Sequence, residues 1–282
     1  MALPGGPAQP GSTRSDAAGP DAGEVDVAHP SIARIRDSWL GGTHHDDADR
    51  GFADQIVVCA PHLPYLVRAQ NAFVRRLVRY LTDRGVRQFL DLGSGVPDIN
   101  AAHRVAHEVD PEAKIVYVDL DPTIAQDSAD LLAGTGNAAF VRADVRRPDE
   151  VLGAPEVTDL IDFGEPVAVL MIEFLLHLQD SENPAGLVAA YMDAVPSGSY
   201  LGISHFSQDD QLHEGLTLFS RMFGAPPAVK LRDPGELVRF FDGVEIVEPG
   251  IVPVPLWHPE PGDEQVRNPE LVRVHAGLGR KV

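Results

Sequence analysis

The chain has 282 residues, one cysteine and a formal net charge of −19 at pH 7. That length suits one large domain with a modest accessory element. A lone cysteine excludes an internal disulfide, and the negative charge repels phosphate backbones and anionic membranes. No apolar run approaches the length of a bilayer span, and the N-terminus lacks the order of a signal peptide. The expectation is a cytoplasmic protein with neither nucleic acid nor membrane as partner.

Residues 1–29 are rich in Gly, Pro, Ala, Ser and Asp and offer little apolar surface to offset the entropy of ordering, so a disordered tail is expected there. Ser31 then stands where it would cap a short helix through Trp39, stopped by Gly41-Gly42. A polar helix from Asp47 to Cys59 follows. Pro64 opens a longer one to about Arg84, with an apolar stripe of Leu66, Phe73, Leu77, Val78 and Leu81. These helices precede the first strand and read as an N-terminal helical cap over residues 30–85.

Short apolar runs then alternate with helical segments. The predicted strands are Gln88–Leu92, Lys114–Val118, Ala138–Arg142, Val167–Ile172 and Tyr200–Ser204; between them lie helices at Asp98–Val109, Thr123–Leu132, around Pro148–Leu152, and Pro184–Ala194. This rhythm predicts a doubly wound α/β fold with a mainly parallel sheet, because parallel neighbours need crossover connections and both faces must be buried. Near the end, Asp233–Phe241 reads as a helix and Val244–Val247 and Leu271–Gly277 as strands.

In such a sheet, ligands sit beyond the carboxyl ends of the strands. The first strand runs through Asp91 into Gly93-Ser94-Gly95, where two glycines allow a sharp turn and close approach of the backbone to a ligand. The second strand ends in Asp119-Leu120, an acid placed to accept ribose hydroxyls. The third ends near Asp144-Val145, where a carboxylate can take an adenine amino group or cap the next helix. A dinucleotide site wants a third glycine where this chain has Asp98, and an aspartate there repels pyrophosphate. S-adenosylmethionine carries no phosphate and bears a positive sulfonium, so the acidic loop suits it better.

Several further segments join these motifs: Pro30-Ser31-Ile32-Ala33-Arg34 with Leu40-Gly41-Gly42, Arg68-Ala69-Gln70-Asn71-Ala72-Phe73, Gly198-Ser199-Tyr200-Leu201 with Ser204-His205, and Glu248-Pro249-Gly250. Together they resemble the class I S-adenosylmethionine-dependent methyltransferases, and more narrowly the actinobacterial S-adenosyl methyltransferase family, over nearly the whole chain from Pro30. The resemblance implies a Rossmann-like, seven-stranded sheet whose last strand is antiparallel, with residues 86–282 as the cofactor-binding domain. It implies that Asp91, Gly93 and Gly95 surround the methionine part, that Asp119 takes the ribose, and that Asp144 with Val145 lines the adenine; Ser94 and Leu120 are counted among the cofactor-binding residues. Arg68 and Asn71 are implied as lid contacts.

For the chemistry, Glu173 and His177 near the fourth strand end and His205 near the fifth are candidate proton acceptors, against the plainer readings of a solvated glutamate and hydrogen-bonded rim histidines. Glu173-Phe174-Leu175-Leu176 lacks the Asn-Pro-Pro-aromatic run of enzymes that methylate planar nitrogens, which favours a small-molecule acceptor. Phe174, Phe206, Met222, Phe223 and Trp257 are candidate pocket walls or core. The run His44-His45-Asp46-Asp47 reads as a solvated loop and no metal site is expected, since adjacent residues rarely point at one centre. The strip Arg68, Arg75, Arg76 and Arg79 reads as a helix face with internal salt bridges, or a patch for an anion. Two other readings stand beside the enzyme: a non-catalytic S-adenosylmethionine-binding sensor, and a nicotinamide-dependent oxidoreductase.

Overall fold

The computed structural model describes residues 30–97, 101–224, 228–261, 263 and 266–282. The N-terminal tail and Asp98 lie outside these residues. Three helices come first: α1 (Ile32–Leu40), α2 (Asp47–Cys59) and α3 (Leu63–Asp83). Gly41 ends α1 at φ 81°, a left-handed turn that glycine adopts without strain. Ser31 occupies the N-cap position, yet its hydroxyl does not cap α1; it donates to Asp121 Oδ2 at 2.7 Å and ties the helix to the sheet. The run read as a solvated loop is tied down instead: Asp46 and Asp49 form a reciprocal capping box that opens α2, and His45 Nδ1 bonds Asp37 Oδ2 at 2.8 Å.

The remainder is β1 (Gln88–Leu92), α4 (Ala102–Val109), β2 (Lys114–Asp119), α5 (Pro122–Leu132), β3 (Ala138–Arg142), α6 (Pro148–Leu152), α7 (Pro155–Leu160), β4 (Ala168–Ile172), α8 (Pro184–Asp193), β5 (Tyr200–Phe206), α9 (Asp210–Phe223), α10 (Pro234–Leu237), β6 (Glu245–Ile246), β7 (Val252–Pro253) and β8 (Val274–Arg280). β1 to β5 are parallel in the order β3-β2-β1-β4-β5, and β8 runs antiparallel between β5 and β6. The two-residue β7 also pairs with β8, so the sheet has eight strands where seven were expected.

Alternation along the strands fills both faces. Phe89, Ile115, Tyr117 and Leu170 pack with Phe73, Leu77 and Leu81 of α3, while Leu90, Val116, Val169 and Met171 pack on the other side with Val157 and Tyr191. The cap's longest helix is thus part of the sheet's own core.

α7 was not expected from the sequence, and two further departures lie in the C-terminal half. The strand expected from Leu271 starts at Val274, because Pro269–Leu271 forms a tight 3₁₀ turn. α9 was not foreseen: Gly215 interrupts its apolar pattern and costs about 1 kcal/mol of helix propensity. The glycine is there for packing, since a Cβ would lie 2.8 Å from the Cys59 carbonyl oxygen at the end of α2.

Candidate functional site

The strand order reverses direction between β1 and β4, and the loops leaving their carboxyl ends diverge around a crevice. A cavity of about 450 Å³ lies there, roofed by α1 and floored by the ends of β1 to β4. Of the residues singled out from the sequence, Asn71, Asp91, Gly93, Ser94, Gly95, Asp119, Leu120, Asp144, Val145, Glu173 and His177 all line it.

Its centre is the clasp between β1 and β2. The N–H groups of Gly93 and Ser94 both donate to the Val118 carbonyl, at 2.8 and 3.1 Å, and the Gly95 N–H donates to Asp119 Oδ2 at 2.9 Å. Asp119 Oδ1 accepts the Asp121 N–H at 3.0 Å. Its carboxylate is thereby fixed, with a lone pair on each oxygen left for a ligand. Gly93 sits at φ 72°, and a Cβ there would come within 2.6 Å of the Phe174 ring, so the loop closes around two constraints that glycine satisfies.

The electrostatics are acidic. Burial, reinforced by the Asp119 charge and opposed by Arg36, pushes the Asp91 carboxyl up to about 7. Burial also raises Asp119, against the pull of the amides that bond it. Asp144 is different: its side-chain bonds to Arg146, at 2.8 to 3.1 Å, hold it below the usual carboxylate range. An adenine amino group there would share a carboxylate already engaged.

Arg36 is a charged cavity residue that sequence reasoning missed. It extends from α1, donates to Gln70 Oε1 at 3.1 Å and pairs with Glu173; Gln70, fully buried, donates in turn to Ser204 Oγ at 2.7 Å. Its position two residues beyond the Ser31-Ile32-Ala33-Arg34 run was the available signal. Glu173 is no helix-start glutamate: it has φ 62° at the exit of β4 and receives Arg36. His177 is exposed at the mouth as a whole, while crowding of its ring by the pocket walls, and after it the Arg36 charge, hold its pKa below the usual value.

Three expectations are corrected. His205 does not reach the cavity: its Nδ1–H donates to the Phe206 carbonyl at 2.8 Å, its Nε2 accepts from Arg232 at 3.1 Å, and burial drives its pKa down to about 4. It is a neutral core histidine. Arg68 is exposed and off the cavity wall. Its neighbours along the basic strip serve the fold, with Arg75 and Arg79 on Glu260, Arg75 and Arg76 on Asp263, and Arg76 also on the Val254 and Trp257 carbonyls. Of the candidate wall residues, Phe174 lines the cavity, Phe206 is buried, Trp257 is buried in the core beside Phe73, and Met222 and Phe223 are exposed.

A family model described as S-adenosyl methyltransferase matches residues 18–282. A candidate methyltransferase from Thermobifida fusca superposes with a TM-score of 0.81 at 36% identity, over 91% of this chain and 96% of that one. A DUF574 family protein from Streptomyces avermitilis gives a TM-score of 0.83 at 33% identity, over 92% and 100% of the respective chains. No curated protein matches. Among the described residues, no helix is long and apolar enough to cross a membrane.

Proposed function

The chain belongs to the S-adenosyl methyltransferase family, and from that premise we propose that it moves the methyl group of S-adenosylmethionine to a small molecule bound beside the β4 exit. The observation that carries the reading is the Asp119 carboxylate, held by the Gly95 and Asp121 amides on the wall of a cavity within the roughly 300–1,000 Å³ of small-molecule sites. The residues fit the cofactor. Gly93 and Gly95 would let the main chain approach it, Asp119 with Leu120 would take the ribose, and Val145 with Asp144 would border the adenine. Asp91 and the Gly93 loop would receive the methionine ammonium, and Arg36 its carboxylate.

Bound S-adenosylmethionine supplies an electrophilic methyl group with a good leaving group already attached. The protein therefore has to align the acceptor and exclude water and, for a hydroxyl acceptor, to take up one proton. His177 is the proton acceptor we assign. Its lowered pKa keeps the ring neutral at pH 7, with a nitrogen lone pair available, whereas Glu173 is engaged by Arg36. The test is turnover: S-adenosylhomocysteine should accumulate when the protein and S-adenosylmethionine meet a small-metabolite extract. No product from extracts of broad composition contradicts the assignment.

The Asp91 carboxyl gives a pH prediction. Its folded pKa of about 7 exceeds the ordinary 3.8, so the unfolded chain releases this proton first. The contribution of Asp91 to the stability of the ligand-free protein is therefore full below pH 3.8 and is lost as the pH rises through about 7. A cationic ligand beside Asp91 favours the ionised form. Affinity for S-adenosylhomocysteine should thus rise between pH 6 and pH 8 with release of a proton, read by calorimetry in buffers of different ionisation enthalpy. An affinity independent of pH, with no proton released, refutes the placement of Asp91 by the ammonium.

A further inference from the structure

A second cavity, of about 110 Å³, opens off the first. Its walls come from four helices: Trp39 of α1, Ile56 of α2, Val67 of α3, and Leu216 and Phe219 of α9. The two cavities share Ile32, Arg36, Glu173 and His177. Among the described lining residues, the charged and imidazole side chains of the smaller cavity are Arg36, Glu173 and His177, all three on that shared wall. Everything deeper is apolar apart from the Cys59 thiol and the Trp39 indole.

We infer that this annex is the acceptor site, and that its occupant is a small uncharged hydroxyl compound with an apolar body of about one ring. The inference rests on the methyltransferase reading above and adds the substrate class. A buried charge deep in such walls would lose its hydration with no partner, which excludes an anionic or cationic body. The volume limits the apolar body to about one ring, since a dry cavity of roughly 150 Å³ takes a benzene ring and the annex, at about 110 Å³, shares its polar wall with the larger cavity, which takes the hydroxyl end. The shared polar wall sets the orientation: the apolar end points between α2 and α9 and the hydroxyl points back toward the cofactor cavity. A hydroxyl stays neutral in the annex, where an alkylamine would arrive protonated at pH 7 with its lone pair blocked.

The chemistry balances there. The acceptor oxygen forms its bond to the methyl carbon with its own lone pair, the pair of the broken carbon–sulfur bond stays on sulfur, and the hydroxyl proton passes to His177 and then to water.

Phenol is the probe, with 4-hydroxybenzoate, whose charge lies opposite the hydroxyl, as its charged counterpart, titrated by calorimetry into the full chain saturated with S-adenosylhomocysteine. Phenol should bind, 4-hydroxybenzoate at least tenfold more weakly. Leu216→Trp, which fills the annex from α9, should lower phenol affinity at least tenfold and leave S-adenosylhomocysteine affinity within twofold. Ile56→Trp, filling it from α2, is the second variant should the first disturb the fold. Phenol bound equally by wild type and a folded filled variant, or not bound by the saturated wild type, overturns the acceptor assignment and leaves the methyltransferase reading intact. Failure of the wild type to bind S-adenosylhomocysteine at all removes both.

Discussion

Arg232→Ala is expected to destabilise the protein by about 3–5 kcal/mol and to lower turnover far more than cofactor affinity. The Arg232 side chain is fully buried, and its guanidinium ties together the segment that follows β4. It donates to the Leu175 carbonyl at 2.9 Å, to the Leu178 carbonyl at 2.7 Å, to His205 Nε2 at 3.1 Å, and to Asp180 Oδ1 at 3.0 Å. Removing it strands three buried acceptors, each costing about 1–3 kcal/mol when unmet, with water entering the gap recovering part of the loss. Asp180 is half exposed and is simply re-solvated. The functional consequence follows from what the tied segment carries: Phe174 against Gly93, and His177 at the mouth of both cavities. Arg232 touches neither cavity and is a positioning residue. Urea denaturation reads the first effect, and kcat against cofactor Kd the second. An unchanged midpoint, or a loss in cofactor affinity equal to the loss in kcat, contradicts the assignment.

Asp49→Ala is expected to cost about 3–5 kcal/mol by a different route. Asp49 is fully buried and takes Arg34 in a two-pronged pair, Nε to Oδ2 at 2.8 Å and Nη2 to Oδ1 at 3.3 Å. The same carboxylate accepts the Ser31 and Asp46 amides, both at 2.9 Å. Taking away one partner of a buried pair leaves the other charge short of compensation, which is the expensive case, whereas replacing both by apolar groups is often neutral. The double variant Arg34→Leu/Asp49→Leu should therefore regain part of the stability lost by the single one, the Ser31 and Asp46 amides staying unpaired in both. If single and double variants are equally destabilised, the pair is not the source. Because α1 also presents Ser31 and Arg36 to the cavity, the single variant should weaken S-adenosylhomocysteine binding as well.

The cofactor half of the site could be read from the sequence because its determinants are local. A strand, two glycines and an acid at the next strand end are separated by a crossover of standard length, and chain order alone brings Gly95 to Asp119. The second cavity, proposed for the acceptor, is built from helix faces far apart in the chain. Ile56, Val67 and Leu216 look like ordinary core positions until packing brings them together, and Gly215 made the helix that carries Leu216 look broken. Arg36 was passed over because its value lies in what it meets, Glu173 across the cleft and Gln70 beneath. His205 was misplaced for the converse reason: a polar residue at a parallel strand end looks like a site residue, and Arg232, distant in sequence, turns it into core.

Asp119 is the residue proposed to grip the ribose, and its removal tests the proposed nucleoside site most directly. Calorimetric titration of S-adenosylhomocysteine into the wild-type chain and into Asp119→Ala tests it. One charged acceptor contributes about 1.5–3 kcal/mol, so the variant should bind roughly tenfold to a hundredfold more weakly while NADH binds neither protein. Equal affinity of the two proteins for S-adenosylhomocysteine, or binding of NADH in its place, would contradict the account.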